Sequence, residues 1–183
     1  MAIVAAVVTE DARKYWPQFF GGLLGDPATS TSVGVQWDPR ITHFMVGEGG
    51  WVDPGGGKVP RTPDATLRRL SAPLIQDLDA AVDPTRALID QRYPSDSLAT
   101  FSKVVGPGDI TFTGTSTVRV ECLLDFSDFN DDGFANDPEI YEIGIFMDHP
   151  TEAGESLMVA YGTFPVQVKD SGTQLLNIVN ITF

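Results

Sequence analysis

Cysteine is almost missing from this chain of 183 residues: Cys122 stands alone. No intrachain disulfide and no cysteine-ligated zinc cluster can form, so the disulfide-stapled extracellular class drops out. Two histidines, His43 and His149, are too few for a histidine-rich metal site. Basic residues are also scarce, with 12 Lys plus Arg against 25 Asp plus Glu and a formal net charge of −13. Such a field repels phosphate backbones and anionic lipid, so neither nucleic acid nor a membrane surface is expected as a partner. The apolar start, residues 1–8, has no basic residue and runs directly into Glu10 and Asp11. It reads neither as a signal peptide nor as a membrane span.

What is present fits one globular domain, residues 1–183, with a helix- and loop-rich part over 1–99 and a β-rich part over 100–183. Hydrophobic residues make up 42% and charged residues 20%, while 18 Gly and 13 Pro favour several short elements over a helical bundle. Residues 9–24 place Ala12, Tyr15, Trp16, Phe19, Phe20, Leu23 and Leu24 at helical spacing. Thr9 is the expected cap, Glu10 and Asp11 suit the dipole, and Pro17 predicts a kink or a break. Residues 41–47 read as a strand leading into the glycine-rich loop 47–58. That loop lacks the glycine and the Ser or Thr of a phosphate-binding loop, since Val52 and Val59 stand at those places. Thr62-Pro63-Asp64 predicts a helix start carrying Leu67, Leu70 and Leu74, and Asp83-Pro84 a further short helix.

From Thr100 onward the period changes to two. Val118, Val120, Cys122 and Leu124 share one face of a half-buried strand, opposite Thr117, Arg119 and Glu121. Cys122 therefore reads as a small core residue. Tyr141, Ile143, Ile145 and Met147 alternate with Glu142 and Gly144, and residues 157–164 and 175–183 read as two more strands. The expected fold is mainly β, an antiparallel sandwich-like domain with short N-terminal helices.

Between Arg119 and Lys169 the sequence holds no Lys or Arg but eleven acids. Among them, residues 128–139 satisfy the spacing D-x-[DN]-x-[DN]-G-x5-E. Asp128, Asn130 and Asp132, the Phe134 carbonyl, Asn136 and Glu139 would ring a structural calcium ion, with Gly133 at the sharp turn. Strands rather than helices flank the motif, so the choice lies between a calcium-stapled β-connection and a solvated acidic hairpin. Paired carboxylates for glycoside hydrolysis need a separation that spacing cannot fix. No nucleophile elbow is visible, and His43 reads as structural. Trp37 and Trp51 flank the glycine loop and suit either packing or stacking on a sugar or protein partner.

Five segments together resemble a known family. Val8-Thr9-Glu10-Asp11-Ala12 opens a helix. Ile41-Thr42-His43-Phe44-Met45-Val46-Gly47-Glu48-Gly49 precedes Thr62-Pro63-Asp64-Ala65-Thr66-Leu67. Tyr141-Glu142-Ile143-Gly144-Ile145-Phe146 precedes Ala160-Tyr161-Gly162-Thr163-Phe164-Pro165. In this order they resemble the N-terminal attachment domain of bacteriophage tail-fibre and tail-collar proteins. The resemblance implies a non-catalytic virion protein of the tail, baseplate or collar, made in the host cytoplasm. Its implied partners are other tail or baseplate proteins and tail fibres, and it implies a homo-oligomer or several copies per particle. Because the sequence stops at Phe183, no receptor-binding tip is expected in the same polypeptide. The interface residues expected on this reading are Tyr15, Trp16, Phe19, Phe20 and Trp51. The alternative is a calcium-dependent carbohydrate-binding β-sandwich.

Overall fold

Long runs of β-branched and aromatic residues in the C-terminal half need partners on both edges, and they take them from both halves of the chain. The computed structural model describes residues 2–20, 41–74, 103–113, 117–126, 128–129, 137–149 and 156–182. Its elements are β1 (Ala2–Val8), α1 (Glu10–Phe20), β2 (Ile41–Gly47), β3 (Trp51–Val52), β4 (Val59–Pro60), β5 (Lys103–Val104), β6 (Ile110–Thr113), β7 (Thr117–Leu124), β8 (Glu139–Asp148), β9 (Ser156–Val168) and β10 (Leu175–Thr182). Eight of the strands form one sheet in the order β5-β2-β8-β9-β1-β10-β7-β6, and β3 and β4 form a separate hairpin. The protein is mainly β, as its alternating sequence requires, and the pairing is antiparallel except between β1 and β10.

The sheet curls. Phe44 and Val46 of β2 belong to the same core cluster as Val120, Cys122 and Leu124 of β7, although β2 and β7 stand five positions apart in the strand order, each next to an opposite edge. The concave face thus encloses its own core, and one continuous sheet does the work of a sandwich's two. Fully burying a Val, Leu or Ile here contributes about 1.5–3 kcal/mol. Cys122 is 0% exposed on the face assigned to it by alternation, and burial pushes its thiol pKa up.

Thr9 caps α1 by accepting from the Ala12 N–H at 3.2 Å, and its hydroxyl donates to the Met158 carbonyl. The helix runs through Pro17 to Phe20 as one element, packing Ala12 and Tyr15 on the main core. No helix among the described residues is long and apolar enough to cross a membrane.

Two expectations are corrected. Ala2–Val8 forms β1, a strand in the interior of the sheet, within the part read as helix- and loop-rich. Residues 62–74 are not a helix but a strap. Asp64 turns the chain by accepting from the Thr66 N–H at 2.9 Å, and Pro73 then bridges Gly47 beside the end of β2. The strap's backbone groups are claimed from outside it: the Glu48 N–H donates to the Ala72 carbonyl and the Leu74 N–H to the Val46 carbonyl, each at 2.9 Å. Leu67 and Leu70 are apolar for a different reason than helical periodicity. They cover Met45, Phe146, Met158 and Tyr161 on the convex face, which is why β2 and β8 are buried on both sides. The helix expected from Asp83-Pro84 lies outside the described residues.

Candidate docking site

Three of the motif segments of the sequence, 41–49, 141–146 and 160–165, meet around one carboxylate. Glu142, on the convex face of β8, is 0% exposed. Its Oε2 accepts from the Tyr161 hydroxyl at 2.6 Å, the Ser71 hydroxyl at 2.7 Å and the Ser71 N–H at 3.2 Å, while Oε1 accepts from the Ala72 N–H at 2.8 Å. A buried carboxylate is tolerable only when so many donors replace its water. Arg61 extends the network by donating to the Tyr161 hydroxyl at 3.1 Å, with its guanidinium 5.7 Å from that ring. Burial first, and then the bond to Glu142, push the Tyr161 pKa up to about 12.

The turn after β2 fits over this carboxylate because it lacks side chains. A Cβ on Gly49 would lie 2.7 Å from Glu142 Oε1, and one on Gly50 would lie 2.8 Å from Glu142 Cβ. Gly50 also has φ +78°, which favours glycine independently of space. Its N–H donates to the Ser71 hydroxyl at 3.0 Å, and its carbonyl accepts from the Arg61 N–H at 3.0 Å. Glu142 therefore ties together β8, β9, the turn after β2 and the strap.

Mounted on that base is the β3–β4 hairpin, in register Trp51 with Pro60 and Val52 with Val59. Its base is pinned where the Thr163 hydroxyl donates to the Arg61 carbonyl at 2.6 Å. Residues 51–60 are all exposed, and Trp51 (38%), Val52 and Val59 present apolar surface to solvent. The tip is ordered internally: Asp53 Oδ1 accepts from the N–H groups of Gly55, Gly56 and Gly57. Those bonds, Gly55 first, hold the Asp53 carboxyl below its usual range.

One flank of the hairpin carries charge. A register shift between Ile140 and Glu142 lets Ile140 join the core and sets Tyr141 beside Trp51, with ring centroids 6.5 Å apart. Lys58 Nζ lies 5.0 Å from the Trp51 ring and 5.1 Å from the Tyr141 ring, and bonds Glu139 Oε2 at 2.7 Å. The lysine first, and then the Tyr141 hydroxyl, hold the Glu139 carboxyl below its usual range.

The expected site residues divide. Trp51 stands on the exposed hairpin. Tyr15 is half-buried against the core, its hydroxyl 3.4 Å from His149 Nε2. Trp16, Phe19 and Phe20 lie in the last turns of α1, and their side chains are outside the described residues, as is Trp37. Of the calcium set, Asp128 and Glu139 are described, whereas Asn130, Asp132, Phe134 and Asn136 lie outside the described residues. Asp128 bonds Lys103 Nζ at 2.8 Å, and no group of three or more potential ligand side chains is placed to hold a metal among the described residues. His43 is buried and stacked on Phe146, 5.1 Å between centroids.

Sequence reasoning missed Glu142, Tyr161, Arg61 and Ser71. Glu142 alternates with apolar residues as a solvent-facing strand residue does, and only the glycines at 47, 49 and 50 signal a close approach. Compared with protein-family models, curated proteins and solved structures, the chain matches none.

Proposed function

We propose that this chain is a non-catalytic structural protein of a phage tail, a baseplate or collar component or fibre-attachment adaptor, and that it docks through the β3–β4 hairpin. The observation that carries the docking is the hairpin itself: an aromatic and two valines held in solvent on a base fixed by a buried carboxylate. Exposed apolar side chains on a rigid mount are what a partner surface uses as anchors, because little conformational entropy remains to be lost on contact. The phage assignment is supported by the five motif segments. Three of them, 41–49, 141–146 and 160–165, contribute Gly47, Gly49, Glu142 and Tyr161 to the network around the buried carboxylate.

The expected partners are other tail or baseplate proteins and fibres, with the chain present in several copies. Fractionating purified particles tests this directly. The chain should co-purify with tails at a stoichiometry set by their symmetry. Recovery only in a soluble fraction, together with calcium-dependent retention on glycans, would replace the reading with the carbohydrate-binding alternative.

A further inference from the structure

The connection between β7 and β8 carries the calcium-like spacing, yet its described ends are already engaged. Asp128, at the first ligand position, is 1% exposed, and its Oδ2 accepts from Lys103 Nζ at 2.8 Å and from the Asp125 N–H at 2.6 Å. Glu139, at the last position, gives its Oε2 to Lys58 at 2.7 Å and to the Tyr141 hydroxyl at 2.9 Å. A divalent ion on either oxygen would sit within a few ångströms of an ammonium group, where like charges repel strongly. These two ends do not fit a calcium ligand set.

A second lysine closes the same region. Lys169 is 0% exposed, and its Nζ donates to the Asp170 carbonyl at 2.6 Å. Its own N–H donates to the Pro138 carbonyl at 3.1 Å, tying the end of β9 to the start of β8. Burial lowers the Lys169 pKa, while the negative charges of Asp128, Asp170, Asp125 and Asp137 oppose that shift. Among the described acids of this stretch, Asp128 therefore has a cation brought in space from β5 and Glu139 one from the β3–β4 hairpin, while Lys169 adds its charge from the end of β9. A buried ammonium group persists only where such charges compensate its desolvation.

We propose that Lys103 and Lys169 are the resident counter-cations at the described ends of the β7–β8 connection, so that Asp128 and the start of β8 are held by protein ammonium groups in place of a metal ion. These ends are then held independently of calcium. Weak extracellular-type calcium sites have dissociation constants of about 0.1–1 mM, so titration to several times that range fills any such site.

The melting temperature of the full chain should be the same in calcium and in chelator at matched ionic strength. Lys103→Met should melt lower in chelator and recover part of the loss in calcium, because the freed Asp128 carboxylate becomes available to a divalent ion. A wild-type melting temperature that rises with calcium, with the rise abolished in Asp128→Asn, would overturn the proposal. Should Lys103→Met fail to fold, acetylation of the native wild-type protein followed by mass spectrometry decides. Lys14 and Lys58 should react quickly and Lys169 should be protected, equally with and without calcium. Lys169 reacting as fast as Lys14 would contradict its place as a buried counter-cation.

Discussion

Two buried carboxylates anchor this protein in opposite ways. Glu142 is surrounded by neutral donors, two hydroxyls and two backbone N–H groups, and its nearest cation, Arg61, reaches it only through the Tyr161 hydroxyl. Asp128 is met directly by the Lys103 ammonium. The contrast shows what each can do. Neutral donors fixed on two chain segments, the strap and β9, give Glu142 directionality, so it sets geometry. An ammonium on a long side chain gives Asp128 charge balance with less directional demand. The hairpin needs the first kind of support and the acid-rich connection needs the second.

The comparison breaks most visibly at Glu142. Glu142→Ala leaves the Ser71, Ala72 and Tyr161 donors without their partner in a dry site, and should cost about 3 kcal/mol or more, measured by urea unfolding. Glu142→Gln keeps the shape but offers one acceptor oxygen where two were used, and should cost about 2 kcal/mol. At the other anchor, Asp128→Asn and Lys103→Met should each cost about 2 kcal/mol singly, and the double variant less than their sum, since removing both partners leaves no orphaned charge. Simple additivity in that cycle would show that the two groups do not interact. Trp51→Ala should weaken assembly by about 2 kcal/mol while barely moving the isolated chain's melting temperature, because the residue lies on the exposed hairpin, outside both core clusters.

The smallest effects come from pH. Tyr161 stays protonated in the folded chain to about pH 12, above the ordinary value of 10.0. The folded state then binds a proton that the unfolded state releases. The stability this group contributes is complete below pH 10 and falls as pH rises through 12, a loss that Tyr161→Phe should remove from the alkaline limb. Glu139 behaves oppositely: its depressed pKa makes its contribution present at neutral pH and lost on acidification through its folded pKa.

Local pattern revealed the elements whose environment is local. The alternation of Val118, Val120, Cys122 and Leu124 identified the inner face of β7, and Thr9 identified the start of α1, because one-sided burial and capping are written in neighbouring residues. The strap was illegible for the converse reason. Thr62-Pro63-Asp64 is a good helix start, but the N–H groups of Ser71 and Ala72 bond a carboxylate some seventy residues away, and that tertiary demand outweighs local propensity. β1 was missed because an unbroken apolar run has no period to read. At the candidate site, Trp51 was legible as an aromatic within a glycine-rich loop. Its mount was not, since the acid that matters most lies outside the acid-rich motif and its partners come from three other segments.

The central claim is that the hairpin bearing Trp51 is the docking element. Imaging the native particle at side-chain resolution tests it most directly. Trp51, Val52 and Val59 should be buried against a neighbouring tail protein, with Glu142 still holding the strap. Trp51 facing open solvent, with contacts made instead by residues 125–142, would contradict it.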